Sequence, residues 1–232
     1  MKISVCMAAY NGSRFIELQI NSVLQQLGPD DEIIVVDDAS KDNTIALLKS
    51  ITDPRIKIFK NTSNLGVVKS FEKAISHSTH DIIFFCDQDD VWRFDKVQRM
   101  VDVFKSDSKI TMVISNAEII DDSGKSESKL FFKKFRSSFL SNLAVNNFLG
   151  CAIAFKKNAV TSVFPFPNNL PMHDSWVGLN HVIYGKIYYI DEPLFYYRRH
   201  DSNVTTGKRS SIINIVKWRV SLLMNLLKTK SN

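Results

Sequence analysis

The chain has 232 residues, 44% hydrophobic and 23% charged, which is enough apolar side chain for a sizeable core and too much for a disordered segment. Its net charge of +6 belongs to the last stretch: from Gly207 onward there are six basic residues (Lys208, Arg209, Lys217, Arg219, Lys228 and Lys230) and no acidic one. The 24 basic residues before Gly207 balance the chain's 24 acidic ones, so no nucleic-acid footprint spreads over the body of the protein.

No apolar run approaches the roughly 18 residues of a bilayer span. Met1 to Gly12 lacks the pattern of a secretory leader, so a cytoplasmic location is expected. Cys6, Cys86 and Cys151 lie far apart, each in an apolar run, as buried thiols of a reducing compartment do; disulfides or a zinc site are not expected.

In chain order, "KISVCMAAY" predicts a buried strand, and "NGSRFIELQINSVLQQ" a helix with an apolar stripe of Phe15, Leu18, Ile20, Val23, Leu24 and Leu27. "DEIIVVDD" predicts the second strand and "ASKDNTIALLKSI" the second helix, with Ser40 or Asp42 as its cap. "RIKIFKN" and "LGVVKSFEKAISHS" form the third such pair, "HDIIFFCDQDD" and "RFDKVQRMVDVFKSD" the fourth. Strand and helix alternating at this spacing predict an α/β fold, a mostly parallel central sheet with helices on both faces. Ligands of such sheets bind beyond the carboxyl ends of the strands, where "AAYNG", "VVDDAS", "KNTSNLG" and "CDQDDVW" all fall.

The second half is less regular. "KITMVISNAEIID" predicts one strand or two, "DDSGKSES" a turn, and "KLFFKKFRSSF" a lid or a membrane contact. "NNFLGCAIAFKKNAV" predicts a strand leading into a helix start, and "PFPNNLPMHDSWVGLNHVIYG" a loop that becomes a helix around Asp174. "KIYYIDEPLFYYRRHDSN" predicts two short aromatic strands. "SIINIVKWRVSLLMNLLKTK" predicts an amphipathic helix with Ile212, Ile215, Val216, Leu222, Leu223, Leu226 and Leu227 on one stripe. Such a basic helix suits an anionic membrane surface or packing on its own domain.

Asp87, Asp89 and Asp90 crowd the mouth of the fourth strand. Close carboxylates repel and resist desolvation unless a positive charge sits among them. With Asp37 and Asp38 ending the second strand, the pattern suits a nucleotide held through a divalent metal, although Asp37 and Asp38 could also cap the helix that follows. Neither GxxxxGKS/T nor GxGxxG is present, so the phosphates would rest mainly on metal.

These motifs, "ISVCMAAYNGSRFIELQINSVLQQ" with "DEIIVVDDASKDNT", "NLGVVKSFEKAI" and "FFCDQDDVW", resemble family 2 glycosyltransferases of the Rossmann-like GT-A fold. The resemblance is strong over about residues 2–100 and looser through "FLGCAIAF", "MHDSW" and "YRRHDSN". The pair "CDQDDVW" and "YRRHDSN" is most similar to bacterial enzymes of O-antigen or capsule synthesis. The resemblance implies a catalytic domain at 1–206, its nucleotide half at 1–100 and its acceptor half at 101–206, followed by a basic tail at 207–232. It implies inverting, metal-dependent transfer of a hexose from a UDP-sugar, or of rhamnose from dTDP-rhamnose. The acceptor would be a sugar hydroxyl on an undecaprenyl-diphosphate carrier at the cytoplasmic face of the inner membrane. A homodimer stays open.

Residue by residue, the resemblance implies Tyr10 beside the nucleobase, Asp38 accepting from the base N3–H, Lys69 near the phosphates and Asp87 at the ribose or metal. It implies Asp89, Asp90 and His200 on Mn²⁺ or Mg²⁺, the imidazole favouring Mn²⁺. Asp174 would be the general base, with His173 standing where an acidic neighbour is usual. Trp92 and Trp176 could stack on a sugar or pack in the core, and Arg198 and Arg199 could face the diphosphate or solvent. His77, His80 and His181 read as structural. A metal-dependent phosphoryl-transfer enzyme leaves Tyr10, Asp38 and "MHDSW" without roles, and a receiver module is about half this length.

Overall fold

The computed structural model describes residues 1–201, 203 and 211–229. The tail cations Lys208, Arg209 and Lys230, and the expected boundary at 206/207, lie outside the described residues. The first half runs β1 (Ile3–Ala9), α1 (Ile16–Leu24), β2 (Glu32–Asp37), α2 (Thr44–Ser50), β3 (Ile56–Lys60), α3 (Val67–His77) and β4 (Ile82–Cys86). β2 and β4 are buried throughout and β1 nearly so, which is why their sequences are continuously apolar; β3, at the sheet edge, is half-exposed. Neither expected cap of α2 holds the cap position, which Asn43 occupies without a side-chain cap bond; Asp42, one residue earlier, accepts from Thr44 N–H at 3.1 Å.

The second half runs β5 (Val91–Trp92), α4 (Lys96–Ser106), β6 (Met112–Ile120), β7 (Ser126–Leu130), α5 (Phe139–Ala144), β8 (Ile153–Lys156), α6 (His173–Tyr184), β9 (Ile187–Arg198) and α7 (Ile212–Thr229). Both halves share one nine-stranded sheet in the order β3-β2-β1-β4-β8-β6-β9-β5, with β7 paired to β6. The strands β3, β2, β1 and β4 are mutually parallel, and registers Ala9↔Asp37 and Asp37↔Lys60 align their carboxyl ends. Beyond β4 the sheet is mixed: β8 is antiparallel to β4 and β6, whereas β9 is parallel to β6.

Four local expectations are corrected. The two short aromatic strands are one strand, β9, whose register to β6 jumps between Ser115↔Ile190 and Asn116↔Pro193. Pro193 has no N–H to give a ladder, and the irregularity accommodates it. The helix start expected after β8 is a turn followed by a short 3₁₀ segment, Thr161–Val163. The aromatic residues of "KLFFKKFRSSF" pack inward rather than standing free as a lid: Phe131 meets the edge of Tyr197 (5.1 Å) and Phe135 stacks on Tyr189 (4.7 Å). The apolar stripe expected on α7 is split, since Leu222 and Leu226 are buried while Val216 and Leu227 are exposed. α7 is apolar over more of its circumference than one contact face can cover.

The pairing of β5 with β9 (Val91↔Tyr196, Trp92↔Phe195) brings the loop after β4 beside the end of β9. Among the described residues no helix is long and apolar enough to cross a membrane.

Candidate active site

The loops after β1 and β2 interlock. Asn11 and Ala39 take positive φ (49° and 62°), turning the chain sharply at each strand end. The Asn11 N–H donates to Ser40 Oγ (2.9 Å), Lys41 N–H to Asn11 Oδ1 (2.9 Å) and Gly12 N–H to Thr44 Oγ1 (2.8 Å). The Gln88 amide then clasps Tyr10, its Oε1 accepting from Tyr10 N–H at 2.9 Å and its Nε2 donating to Tyr10 O at 3.1 Å. A Cβ on Gly12 would stand 2.1 Å from Gln88 Oε1, so glycine is what lets these loops close on each other. The Tyr10 side chain is 40% exposed at the carboxyl end of β1.

Asp38 is buried, and its carboxylate accepts from Asn61 Nδ2, Leu65 N and Gly66 N, all at 2.8 Å. A carboxylate offers about four lone-pair positions. Asp38 therefore shapes the loop from Asn61 to Gly66 first and keeps little capacity for a base N–H. Lys69 is held by Glu72 at 2.7 Å on the same helix.

The acidic loop divides into two groups. One oxygen each from Asp87 and Asp90 lies with Cys151 Sγ, all within 4.8 Å of one another. Burial, reinforced by the Asp89 charge, pushes the Asp87 carboxyl up to about 7. Burial with the Asp89 and Asp87 charges holds Asp90 well above the usual carboxylate range. Asp90 Oδ1 accepts from Arg198 N–H at 3.0 Å, whereas no donor stands in bonding geometry to its buried Oδ2. Asp89 turns the other way, its Oδ2 accepting from His200 Nε2 at 2.8 Å and Asn203 Nδ2 at 3.3 Å.

A divalent cation fits this chemistry: two hard oxygen donors, raised in pKa by desolvation and repulsion, one of them carrying an orphaned buried oxygen. The Cys151 thiol is itself pushed well up by burial and the nearby carboxylates, so it stays a thiol whose S–H eases both of them.

Lys96, fully buried, adjoins this cluster. Its Nζ donates to Cys151 O at 2.6 Å and sits 4.4 Å above the Trp92 ring and 4.1 Å above that of Phe195. Burial lowers its pKa to about 8, while the Asp90 and Asp87 charges oppose the fall. Trp92 is 3% exposed, so the expected sugar-stacking role is corrected: its ring packs against Phe84 and under Lys96. Trp176 is likewise core, its indole N–H donating to Val163 O at 2.9 Å.

Arg198 does not face a diphosphate either. Its guanidinium donates to the carbonyls of Asp89 (2.9 Å), Asp121 (3.3 Å) and Asp122 (3.2 Å), pinning the acidic loop to a neighbouring turn. Arg199 is exposed.

Asp174 sits in the first turn of α6, 8% exposed. Its carboxylate accepts from Ser175 N–H (2.6 Å) and Asn146 Nδ2 (3.2 Å), and burial still raises its pKa to about 6. The Asp174 charge also raises the pKa of Asp87, so the acidic cluster and this carboxylate share one electrostatic environment. His173 packs: it stacks on Phe71 (4.3 Å), meets the edge of Phe85 (5.1 Å), and burial holds it neutral with a pKa of about 3.

The family model for glycosyl transferase family 2 matches residues 4–164, most of the chain and all of the loops just described except Asp174 and the end of β9. The chain belongs to glycosyl transferase family 2. It is 32% identical over 219 residues to an uncharacterized glycosyltransferase of Nostoc sp., covering 88% of this chain and 66% of that protein. It is 28% identical over 170 residues to the Escherichia coli UDP-Glc:alpha-D-GlcNAc-diphosphoundecaprenol beta-1,3-glucosyltransferase WfgD, covering 71% of this chain and 64% of WfgD. The chain thus spans slightly under two thirds of the length of these relatives. In fold it matches the crystal structure of S. aureus TarS 1–349 in complex with UDP-GlcNAc with a TM-score of 0.75 at 17% identity, over 98% of this chain and 67% of that one.

Four residues of this family 2 site, Gln88, Lys96, Cys151 and Asn146, were not expected there from sequence. Gln88 stands inside "CDQDD" and Cys151 inside "FLGCAIAF", both already singled out. Trp92 ends β5 and Lys96 begins α4, so no helical spacing in the sequence signals the cation over the ring. Asn146 gave no signal.

Proposed function

We propose that this chain catalyses inverting transfer of a sugar from a UDP-sugar to a hydroxyl of a lipid-linked sugar acceptor in bacterial surface polysaccharide synthesis. The observation that carries the reading is the pairing of Asp87 with Asp90, raised in pKa and holding an orphaned oxygen, just beyond the carboxyl end of β4 in the parallel part of the sheet. The family membership, the UDP-GlcNAc in TarS and the acceptor in the WfgD name support the donor and acceptor classes.

In this reading Tyr10 and the loop shaped by Asp38 receive the base, and Lys69 exchanges Glu72 for a donor phosphate. Asp87 and Asp90, with the Asp89–His200 pair beside them, would hold Mn²⁺ or Mg²⁺, which supplies Lewis-acid stabilisation of the departing diphosphate. Lys96 keeps positive charge next to these carboxylates. Asp174 accepts the proton of the acceptor hydroxyl as its oxygen attacks the anomeric carbon. A carboxyl titrating at about 6 is ionised at neutral pH yet basic enough for the task. The enzyme works at the cytoplasmic face of the membrane that carries its acceptor, and the exposed apolar side chains of α7, with Lys217, support that contact.

Thermal shift with UDP, dTDP, GDP and CDP, each with and without Mn²⁺, tests the donor site. Stabilisation by UDP that needs Mn²⁺ and disappears in Asp90→Asn is expected. A response indifferent to metal and to Asp90 would overturn the site.

A further inference from the structure

α7 carries a cation, Arg219, for which no ion pair or hydrogen bond is seen among the described residues. The helix is seated by Leu222 and Leu226, both buried, and by Ser221 Oγ donating to Asn169 O at 3.0 Å. At 3.6 residues per turn, Arg219 falls on the same face as Leu222 and Leu226. It is half-buried, its Nε is buried without a hydrogen-bond acceptor, and among the described residues no ion pair or hydrogen bond holds its guanidinium. Burial lowers its pKa and the Asp174 charge opposes the fall, while the Arg219 charge in turn eases Asp174. A guanidinium left unpaired while partly desolvated is costly unless an anion completes it.

The flank of the same helix is apolar and open. Ile213, Val216, Val220, Met224 and Leu227 are each between 48% and 68% exposed. A guanidinium with no partner among the described residues, within electrostatic reach of the candidate base and beside an exposed apolar stripe, matches a ligand with an anionic group joined to a hydrocarbon chain. A free sugar would use neither feature.

We propose that Arg219 binds the phosphate group that joins the acceptor sugar to its lipid, and so sets the acceptor's position relative to Asp174. This rests on the glycosyltransferase reading above. A planar guanidinium grips phosphate oxygens through two parallel N–H donors, which a lysine cannot reproduce. α7 is then the acceptor-side wall of the active site.

The test uses the full chain saturated with UDP and Mn²⁺, so that the donor site is filled, and titrates farnesyl diphosphate, farnesyl phosphate, farnesol and inorganic diphosphate. Wild type should bind both phosphorylated farnesyl probes at least tenfold more tightly than farnesol or inorganic diphosphate. Arg219→Gln should remove the advantage over farnesol and leave farnesol binding within twofold. Lys228→Gln on the same helix should change farnesyl diphosphate binding by less than threefold. Arg219→Lys, which keeps the charge and the stem, should lose three- to fivefold, and it decides the matter if Arg219→Gln does not fold. Equal phosphate affinity in the wild type and Arg219→Lys, an equal loss for farnesol, or inorganic diphosphate binding as tightly as the farnesyl probes would overturn the proposal. Absence of any UDP response in the wild type would instead overturn the glycosyltransferase reading beneath it.

Discussion

Two sets of carboxylates share one electrostatic neighbourhood; burial raises both, and they differ in what acts beside it. Asp87 and Asp90 are crowded by burial and by the charges around them, and the buried cation beside them, Lys96, is held back by two aromatic rings and a carbonyl. Asp174 is raised by burial but eased by Ser175 N–H, Asn146 and the Arg219 charge. In the proposed reaction the first arrangement would be relieved by a divalent cation, and the second would take a proton from a substrate hydroxyl. In that reading one loop serves the leaving group and one helix end the nucleophile.

Substitutions should separate the two sets. Asp90→Asn is expected to abolish metal-dependent UDP binding and, with it, transfer, as read by calorimetry and product formation. Asp174→Asn is expected to lower turnover by about 10²- to 10⁴-fold, the usual range for a general base, while UDP binding stays within twofold. A loss of UDP affinity in Asp174→Asn would merge the two sets and break the comparison.

The pH dependence sharpens it. Transfer should fall as pH drops through about 6, where Asp174 gains a proton. For stability the sign is opposite. The folded-state pKa of Asp174 lies above its ordinary value of 3.8, so its contribution is full below that value and is lost as pH rises through about 6. Metal-free Asp174→Asn should therefore gain on the wild type in melting temperature as pH rises across that window, and level off above it. A constant difference would contradict the buried-carboxyl account. The smallest effect concerns the loop clasp. Gly12→Ala must displace Gln88 from its two hydrogen bonds to Tyr10, and a loss of about 1–2 kcal/mol is expected in denaturant unfolding.

Much of the first half was legible because most of its strands are buried on both faces and its turns follow at short spacing. "DEIIVVDD" and "IIFFCDQDD" announce both the strand and the place where it opens to ligand. The helix at Asp174 was legible from its apolar pattern. The rest depends on partners distant in the chain. Trp92 looked available for a sugar because nothing near it in sequence covers it; Phe195, far along the chain, joins it around Lys96. Lys96 itself read as a polar helix residue, and Asp38 as an open acceptor, until the Asn61–Gly66 loop closed on it. Periodicity reports which face of a helix is apolar, not which part of that face its own domain covers, and α7 is split for that reason.

The most direct test of the central claim is proton release on metal loading. Mn²⁺ titrated into the metal-free, nucleotide-free protein at about pH 6.5, just below the raised Asp87 value, in two buffers of different ionisation enthalpy, reports how many protons leave the site. Release that is clear in the wild type and lost in Asp87→Asn and Asp90→Asn is predicted, because a cation forces both raised carboxyls to ionise. Mn²⁺ binding with no proton release, or release unchanged in those variants, would contradict the account.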